Sequence, residues 1–238
     1  MLMDNERIDD LQCRGYKIIQ NPNGYCFTGD SVLLSNLANV KKGDKVVDLC
    51  TGSGVVALLM DAKYSPQMVI GVEIQERLAD MAKRSVELNG LSTVNIINRP
   101  LQNIHKEIGS GYDVVTVNPP YETAPDKDEY TEDDICKREV KVTLEEIIKE
   151  SSVLLRYGGL FYMINRIRRM VDVIYLMRVN GIEPKKIYMV QPKESKDVDT
   201  FVVEGRRGGK PSLSVPAPLI VYDENGNYTE KVRSLYNK

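Results

Sequence analysis

Between residues 45 and 204, short apolar runs rich in β-branched side chains alternate with stretches of helical period, and that alternation leaves few folds open. Residues 45–50 (KVVDLC), 68–73 (MVIGVE), 94–98, 112–118 (YDVVTVN) and 159–165 (GLFYMIN) read as strands. Helices are expected over 55–63, 76–89, 143–156 and 167–180. The second carries apolar residues at Leu78, Met81, Ala82 and Leu88 and ends before Gly90, a natural residue just past a helix. The third opens on Thr143 with Glu146 three residues on, a capping box. Strands and helices joined by short links make βαβ units, hence a parallel sheet with right-handed crossovers. The last two strands, 185–191 and 200–204, have only a short polar link between them, so they should run antiparallel. The expected fold is α/β: a doubly wound, mostly parallel, seven-stranded sheet with its last strand antiparallel.

Before Lys45 the pattern changes. Residues 16–20 and 25–28 flank the turn sequence Asn21-Pro22-Asn23-Gly24, which predicts a hairpin. A helix over 29–40 follows, with Asp30 or Ser31 as its cap. After Gly208 the chain is proline-rich and without period, which reads as an extended tail on the surface. Three parts are therefore expected: a hairpin-and-helix extension over 1–42, the main domain over 43–210 and a tail over 211–238.

Composition excludes several function classes. No run of 18 or more apolar residues exists, so no transmembrane helix is expected. The acidic, polar start lacks the features of a signal peptide and points to the cytosol. The four cysteines include no C-x-x-C pair, and His105 is the single histidine, so neither a metal site nor a disulfide framework is expected. The net charge of −2 argues against a protein that coats nucleic acid, yet residues 166–210 hold eleven Lys/Arg against six Asp/Glu. A local basic patch can persist under a neutral total.

Two motifs carry chemistry. The first strand runs into Asp48-Leu-Cys-Thr-Gly52-Ser-Gly54-Val-Val-Ala57, and Glu73 closes the second strand. Gly52 and Gly54 let the backbone turn tightly and approach a ligand, and the next helix aims its N-terminus at it. A carboxylate at Glu73 can accept both hydroxyls of a ribose. The set also fits a dinucleotide fingerprint, with Ala57 in the third glycine position. Asp48 separates the two cofactors. It would face a pyrophosphate unfavourably, and it suits the cationic amino group of S-adenosylmethionine.

The second motif, Asn118-Pro119-Pro120-Tyr121, follows the fourth strand, where open α/β sheets bind ligands. The prolines stiffen the backbone and remove two N–H donors. The Asn118 side-chain carbonyl and the Pro119 carbonyl remain as acceptors, and Tyr121 supplies a flat ring. Such a site accepts both hydrogens of a planar NH₂ group and stacks its ring. Catalysis is then mostly positioning.

The pattern Asp-x-x-x-Gly-x-Gly with an acidic residue closing the next strand resembles the class I methyltransferases, a Rossmann-like family. The resemblance implies S-adenosylmethionine as cofactor, held by Asp48, Thr51, Gly52, Ser53, Gly54 and Glu73, with Ile74 against its adenine. That family often has a carboxylate after the third strand for the adenine amine. Here the stretch is Asn98-Arg99-Pro100-Leu101-Gln102, leaving Gln102 or Asn103 to substitute. The Asn-Pro-Pro-Tyr motif is shared by adenine N6- and glutamine N5-methyltransferases. It implies catalytic roles for Asn118, Pro119, Pro120 and Tyr121, with Asn118 also beside the cofactor.

Segments such as Phe27-Thr-Gly-Asp-Ser-Val-Leu-Leu34 and Gly181-Ile-Glu-Pro-Lys-Lys186 resemble the bacterial tRNA1(Val) (adenine(37)-N6)-methyltransferases along nearly the whole chain. That likeness implies a tRNA partner and a lid bringing Phe27 and Asp30 near the cofactor. It also implies a mobile substrate loop over 122–140. Arg166 fits the place of a basic residue that the family often has after the fifth strand. Arg166, Arg168, Arg169, Lys185 and Lys186 are the candidate phosphate contacts.

Four rivals stand beside this reading. A glutamine N5-methyltransferase usually carries a helical N-terminal domain, and only about 40 residues precede the first strand here. A DNA adenine methyltransferase tends to have a target-recognition domain, and none is visible; an rRNA N-methyltransferase is an alternative of the same chemistry. A binding module for S-adenosylmethionine or RNA would not need Asn118. A nicotinamide dehydrogenase would be protected from unfolding by NAD.

Overall fold

A computed structural model describes residues 2–24, 26–121 and 141–236. The expected loop over 122–140 lies outside the described residues. The chain opens with β1 (Arg7–Asp10) and β2 (Lys17–Gln20), then α1 (Gly29–Leu37). The alternating region gives β3 (Lys45–Leu49), α2 (Val55–Tyr64), β4 (Met68–Glu73), α3 (Glu76–Leu88), β5 (Val94–Asn98), the single-turn α4 (His105–Ile108) and β6 (Tyr112–Val117). It continues with α5 (Leu144–Leu154), β7 (Leu155–Arg166), α6 (Met170–Val179), β8 (Ile182–Gln191) and β9 (Thr200–Arg207). The tail adds β10 (Leu219–Ile220) and α7 (Glu230–Tyr236).

The main sheet has eight strands in the order β10-β8-β9-β7-β6-β3-β4-β5. Neighbours from β7 across to β5 are parallel. The reversed strand is β9, which lies between β7 and β8 and is antiparallel to both. The α/β class, the doubly wound parallel frame and the single reversed strand are thus as expected. The eighth strand is an addition: β10 pairs in parallel with β8 at the edge.

Alternation along the strands sorts the core into two layers. Val46, Val69, Val114, Tyr162 and Val202 meet α1, α2 and α3 in one cluster. Val47, Ile70, Val115, Phe161 and Phe201 meet α5 and α6 in the other. Successive side chains of a strand point to opposite faces, so each of these central strands supplies both layers. Full burial of each such side chain contributes roughly 1.5–3 kcal/mol. The capping box at Thr143 and Glu146 is present, and Gly90 takes the left-handed φ of +63° after α3.

Three expectations are corrected. The hairpin joins β2 to β1, with Arg7 opposite Gln20 and Asp10 opposite Lys17. Among the described residues, 26–28 form no strand against β2. Residues 21–24 do turn, with the Gly24 amide donating to the Asn21 carbonyl at 3.0 Å. The Phe27 amide, however, donates to the Gln20 side-chain oxygen at 3.0 Å. A side-chain amide has taken the bond that a ladder would have used. The α1 cap is Thr28, whose side chain accepts from the Asp30 amide. Asp30 and Ser31 sit within the first turn itself, with their side chains engaged by Tyr121 and Asn118. Finally, the tail is not wholly superficial, because Leu219 and Val232 are buried in the first core layer. No helix among the described residues is long and apolar enough to cross a membrane.

Candidate active site

The glycine turn leaves β3 and enters α2 through a run of left-handed residues. Cys50 and Gly52 both have φ of +57°, and Gly54, the α2 cap residue, has φ of +88°. At Gly54 a Cβ would also stand 3.1 Å from the Ala82 Cβ. The turn rests on a glycine from the neighbouring strand. A Cβ on Gly71 would lie 2.7 Å from Ile96 Cδ1 and 3.0 Å from the Thr51 side chain.

Two buried carboxylates shape the turn. Asp48 is 1% exposed. It accepts from the Thr51 hydroxyl at 2.5 Å and from the Thr116 hydroxyl at 2.7 Å. Burial pushes its carboxyl up to about 7 against those two hydrogen bonds, and nearby Glu73 adds to the rise. Glu73 accepts from the Gly52 amide and from the Gln75 amide, each at 2.9 Å. Burial raises its carboxyl as well, and its backbone N–H partners oppose the rise.

Above the turn lies an open cleft. Of the residues singled out by sequence, Gly52, Glu73, Ile74, Gln102, Asn118 and Pro120 line it. Leu78, Leu101 and Val142 add apolar wall, and Arg99 and Lys141 add charge. Asp48, Thr51 and Ser53 are buried beneath the turn. Between the two candidates for the adenine amine, Gln102 lines the cleft, whereas Asn103 is exposed. The Gln102 Nε2 donates to the Lys141 carbonyl at 3.0 Å and to Glu146 Oε1 at 3.3 Å. Both bonds fix which end of the amide is the donor.

At the carboxyl end of β6 the Asn118 side chain is gripped at both ends. Its Nδ2 donates to the Ser31 hydroxyl at 2.9 Å. Its Oδ1 accepts from the Tyr121 hydroxyl. That hydroxyl also lies 3.1 Å from Asp30 Oδ2. Arg166, at the end of β7, donates to the same Asp30 oxygen at 3.3 Å and holds its guanidinium 4.7 Å from the Tyr121 ring centre. Burial raises the Asp30 carboxyl, opposed first by Arg166 and then by Tyr121.

The basic candidates are not one patch. Arg166 belongs to the Asp30–Tyr121 network, and Arg169 pairs with Asp172 at 3.1 Å. Lys185 donates to the Lys210 carbonyl at 2.8 Å and to Ser212. Lys186 lies 5.5 Å from the Tyr188 ring. Arg166 and Val190 share the partner Thr200, whereas Lys186 faces Glu204. Four residues along β8, about 13 Å at strand rise, separate Lys186 from the Arg166 level.

Three residues that sequence reasoning missed organise the site. Gln20 is fully buried. Its Nε2 donates to the Ser53 hydroxyl at 2.5 Å, and its Oε1 takes the Phe27 amide. It therefore ties the glycine turn to the N-terminal segment. Thr116 binds Asp48 from the next strand, and Ser31 binds Asn118. For Thr116 and Gln20 the available signal was a polar residue following a pair of apolar β-branched ones, in YDVVTV and KIIQ.

The methyltransferase small domain model matches residues 24–179, well over half of the chain. The chain belongs to that family. A tRNA1(Val) (adenine(37)-N6)-methyltransferase of Pedobacter heparinus is 23% identical over 215 residues, covering 87% of each chain. A ribosomal protein uL3 glutamine methyltransferase of Bradyrhizobium diazoefficiens is 28% identical over 158 residues, which is 61% of this chain and 48% of that one. Among solved structures, a predicted O-methyltransferase from Agrobacterium tumefaciens superposes with a TM-score of 0.71 at 21% identity, covering 87% of this chain and 95% of that one. The fold and the family expected from the two motifs are therefore both borne out. The protein is a methyltransferase.

Proposed function

We propose that the protein transfers a methyl group from S-adenosylmethionine to the exocyclic nitrogen of adenine in tRNA, with adenine 37 of tRNA1(Val) as target. One observation carries the reading: Asn118 lines the same cleft as Gly52 and Glu73. An acceptor for a planar amine and a cradle for a nucleoside thus share one space. The residues that line the cleft suit the cofactor in their chemistry. In this reading Glu73 takes the ribose hydroxyls, Ile74 and Leu101 the adenine faces and Gln102 the adenine amine. Asp48 acts from beneath the turn, fixing Thr51 and supplying negative potential toward the cationic end.

Bound there, S-adenosylmethionine supplies an activated methyl group. Asn118 Oδ1 and the Pro119 carbonyl accept the two hydrogens of the incoming amine. The nitrogen lone pair then points at the methyl carbon. The bound cofactor would supply the methyl carbon and keep the C–S electron pair on sulfur, while the amine nitrogen, held by Asn118 and Pro119, would shed one proton to solvent. The barrier falls through orientation, an effect that reaches roughly 7–11 kcal/mol in favourable cases. Tyr121 offers its ring to the base. The Pedobacter relative, aligned over most of both chains, supports tRNA as the substrate and partner, and with it a cytoplasmic location. The glutamine methyltransferase relative keeps a protein amide as the second reading, because that nitrogen is planar too. The test is methyl transfer to tRNA lacking modification, followed by nucleoside analysis. Label in N6-methyladenosine supports the proposal, and label in a release factor or ribosomal protein replaces it with the second reading.

A further inference from the structure

The chemistry proposed above needs the Asn118 oxygen, not its nitrogen, to face the amine. A primary amide can turn through half a rotation about its last bond at little intrinsic cost. The wrong face would set an NH₂ group against an NH₂ group. Something besides Asn118 itself must hold the orientation.

Among the described residues two side chains hydrogen-bond that amide, and they differ in how firmly they are committed. Tyr121 has a single hydroxyl proton but two acceptors within reach, Asn118 Oδ1 and Asp30 Oδ2. Arg166 holds Asp30 in place by donating to the same oxygen. The grip of Tyr121 on the amide is therefore divided, and an arriving amine competes for the same Oδ1. Ser31 acts at the other end, where it accepts from Nδ2 at 2.9 Å. It is 2% exposed and lies within α1. Its own backbone is fixed on both sides: its amide donates to the Thr28 carbonyl at 3.2 Å, and its carbonyl accepts from the Ser35 hydroxyl at 2.8 Å. No arriving substrate needs the Nδ2 end. A rigid helix thus carries the contact that persists through binding.

We infer that Ser31 is a positioning residue for the transfer: accepting from Nδ2 while the Tyr121 hydroxyl donates to Oδ1, it holds the Asn118 amide with its oxygen toward the substrate amine. Asp30, its neighbour, is where the Tyr121 hydroxyl rests once the amine has taken Oδ1. The inference rests on the reaction proposed above. It explains why Thr28, not Asp30 or Ser31, caps α1: the two residues that also suit a cap are engaged with the acceptor site instead.

The experiment compares Ser31→Ala and Ser31→Thr with the parent protein, using unmodified tRNA and S-adenosylmethionine. Ser31→Ala should lower kcat between about ten- and a hundredfold, as a small misplacement at the reacting group does. KM for S-adenosylmethionine should stay within about twofold. Ser31→Thr, which keeps the hydroxyl, should recover most of kcat. Thermal unfolding of each variant checks that the fold is intact. A second readout needs no turnover. The Asn118 side-chain NH₂ resonances, identified by their loss in Asn118→Asp, should shift and exchange faster with water in Ser31→Ala but not in Ser31→Thr. Unchanged kcat or unchanged resonances in folded Ser31→Ala overturn the inference. If the parent protein methylates no RNA, the proposed reaction fails, and the resonances still decide whether Ser31 holds the amide.

Discussion

The Asp48 carboxylate accepts a hydrogen bond of 2.7 Å from the Thr116 hydroxyl, and the two residues sit opposite each other in the β3–β6 register. One residue precedes the glycine turn, and the other stands two positions before Asn118. The bond fixes the distance between the two motifs at their roots. Thr116→Val keeps the shape and removes the donor. A buried acceptor that loses its partner costs roughly 1–3 kcal/mol. Titration calorimetry should show cofactor affinity reduced several-fold, with kcat also lower.

The state of Asp48 makes cofactor binding depend on pH. Burial lifts its carboxyl from 3.8 to about 7, so the folded protein binds a proton there more readily than the unfolded chain does. Sign follows from linkage: this group's contribution to stability falls as pH rises from about 4 to about 7 and is level above that. The ligand-free protein with Asp48→Asn should therefore gain thermal stability over the parent at pH 8, and the gain should shrink toward pH 5. A cation held over the turn favours the ionised carboxylate. S-adenosylmethionine affinity should accordingly rise between pH 6 and 7.5 in the parent and stay flatter in Asp48→Asn. Calorimetry in buffers of different ionisation heat should show a proton released on binding to the parent.

Gly71 tests the packing beneath the turn. A methyl group there meets Ile96 Cδ1 at 2.7 Å and Thr51 at 3.0 Å. Gly71→Ala should cost about 1–3 kcal/mol in urea unfolding, the usual range for overpacking. Because Thr51 is one of the atoms displaced, cofactor affinity should fall as well. Gly43, with open space around its Cβ position, offers a control for the missing contact, although its φ of +86° carries its own backbone cost.

Gln20 tests the latch between the N-terminal segment and the turn. Gln20→Ala removes the bonds to Ser53 and to the Phe27 amide inside a buried site. A loss of about 1–3 kcal/mol in stability is expected. KM for S-adenosylmethionine should rise more than kcat falls, since Ser53 and Phe27 are assigned to the cofactor side.

Much of this was legible in the sequence, and the exceptions share a cause. Strand–helix alternation is a local signal, so β3 through β9 and the reversed β9 could be read from period and link length. The capping box at Thr143 was equally local. The partner of β2 was not, because the choice between residues 7–10 and 25–28 was settled by the Gln20 side chain, a contact that no periodicity encodes. The two-residue β10 has too few positions to show a period, and Pro216 and Pro218 just before it hid it. Motif spacing located Gly52, Glu73 and Asn118 on one cleft, because both motifs end strands on the same edge of a parallel sheet. Counting charges grouped Lys185 and Lys186 with Arg166, since a count ignores position along a strand. Ser31 and Thr116 act through tertiary contacts 87 and 68 residues away, and nothing in their immediate sequence says which residue each one meets.

The central claim is that Asn118 presents the acceptor for a planar amine beside bound S-adenosylmethionine. The most direct test measures label transferred from S-adenosylmethionine to unmodified tRNA by the parent protein and by Asn118→Ala, with cofactor binding measured on both. The account predicts N6-methyladenosine from the parent, turnover lost in Asn118→Ala and cofactor affinity within a few-fold of the parent. Full turnover by a clean preparation of Asn118→Ala would contradict it.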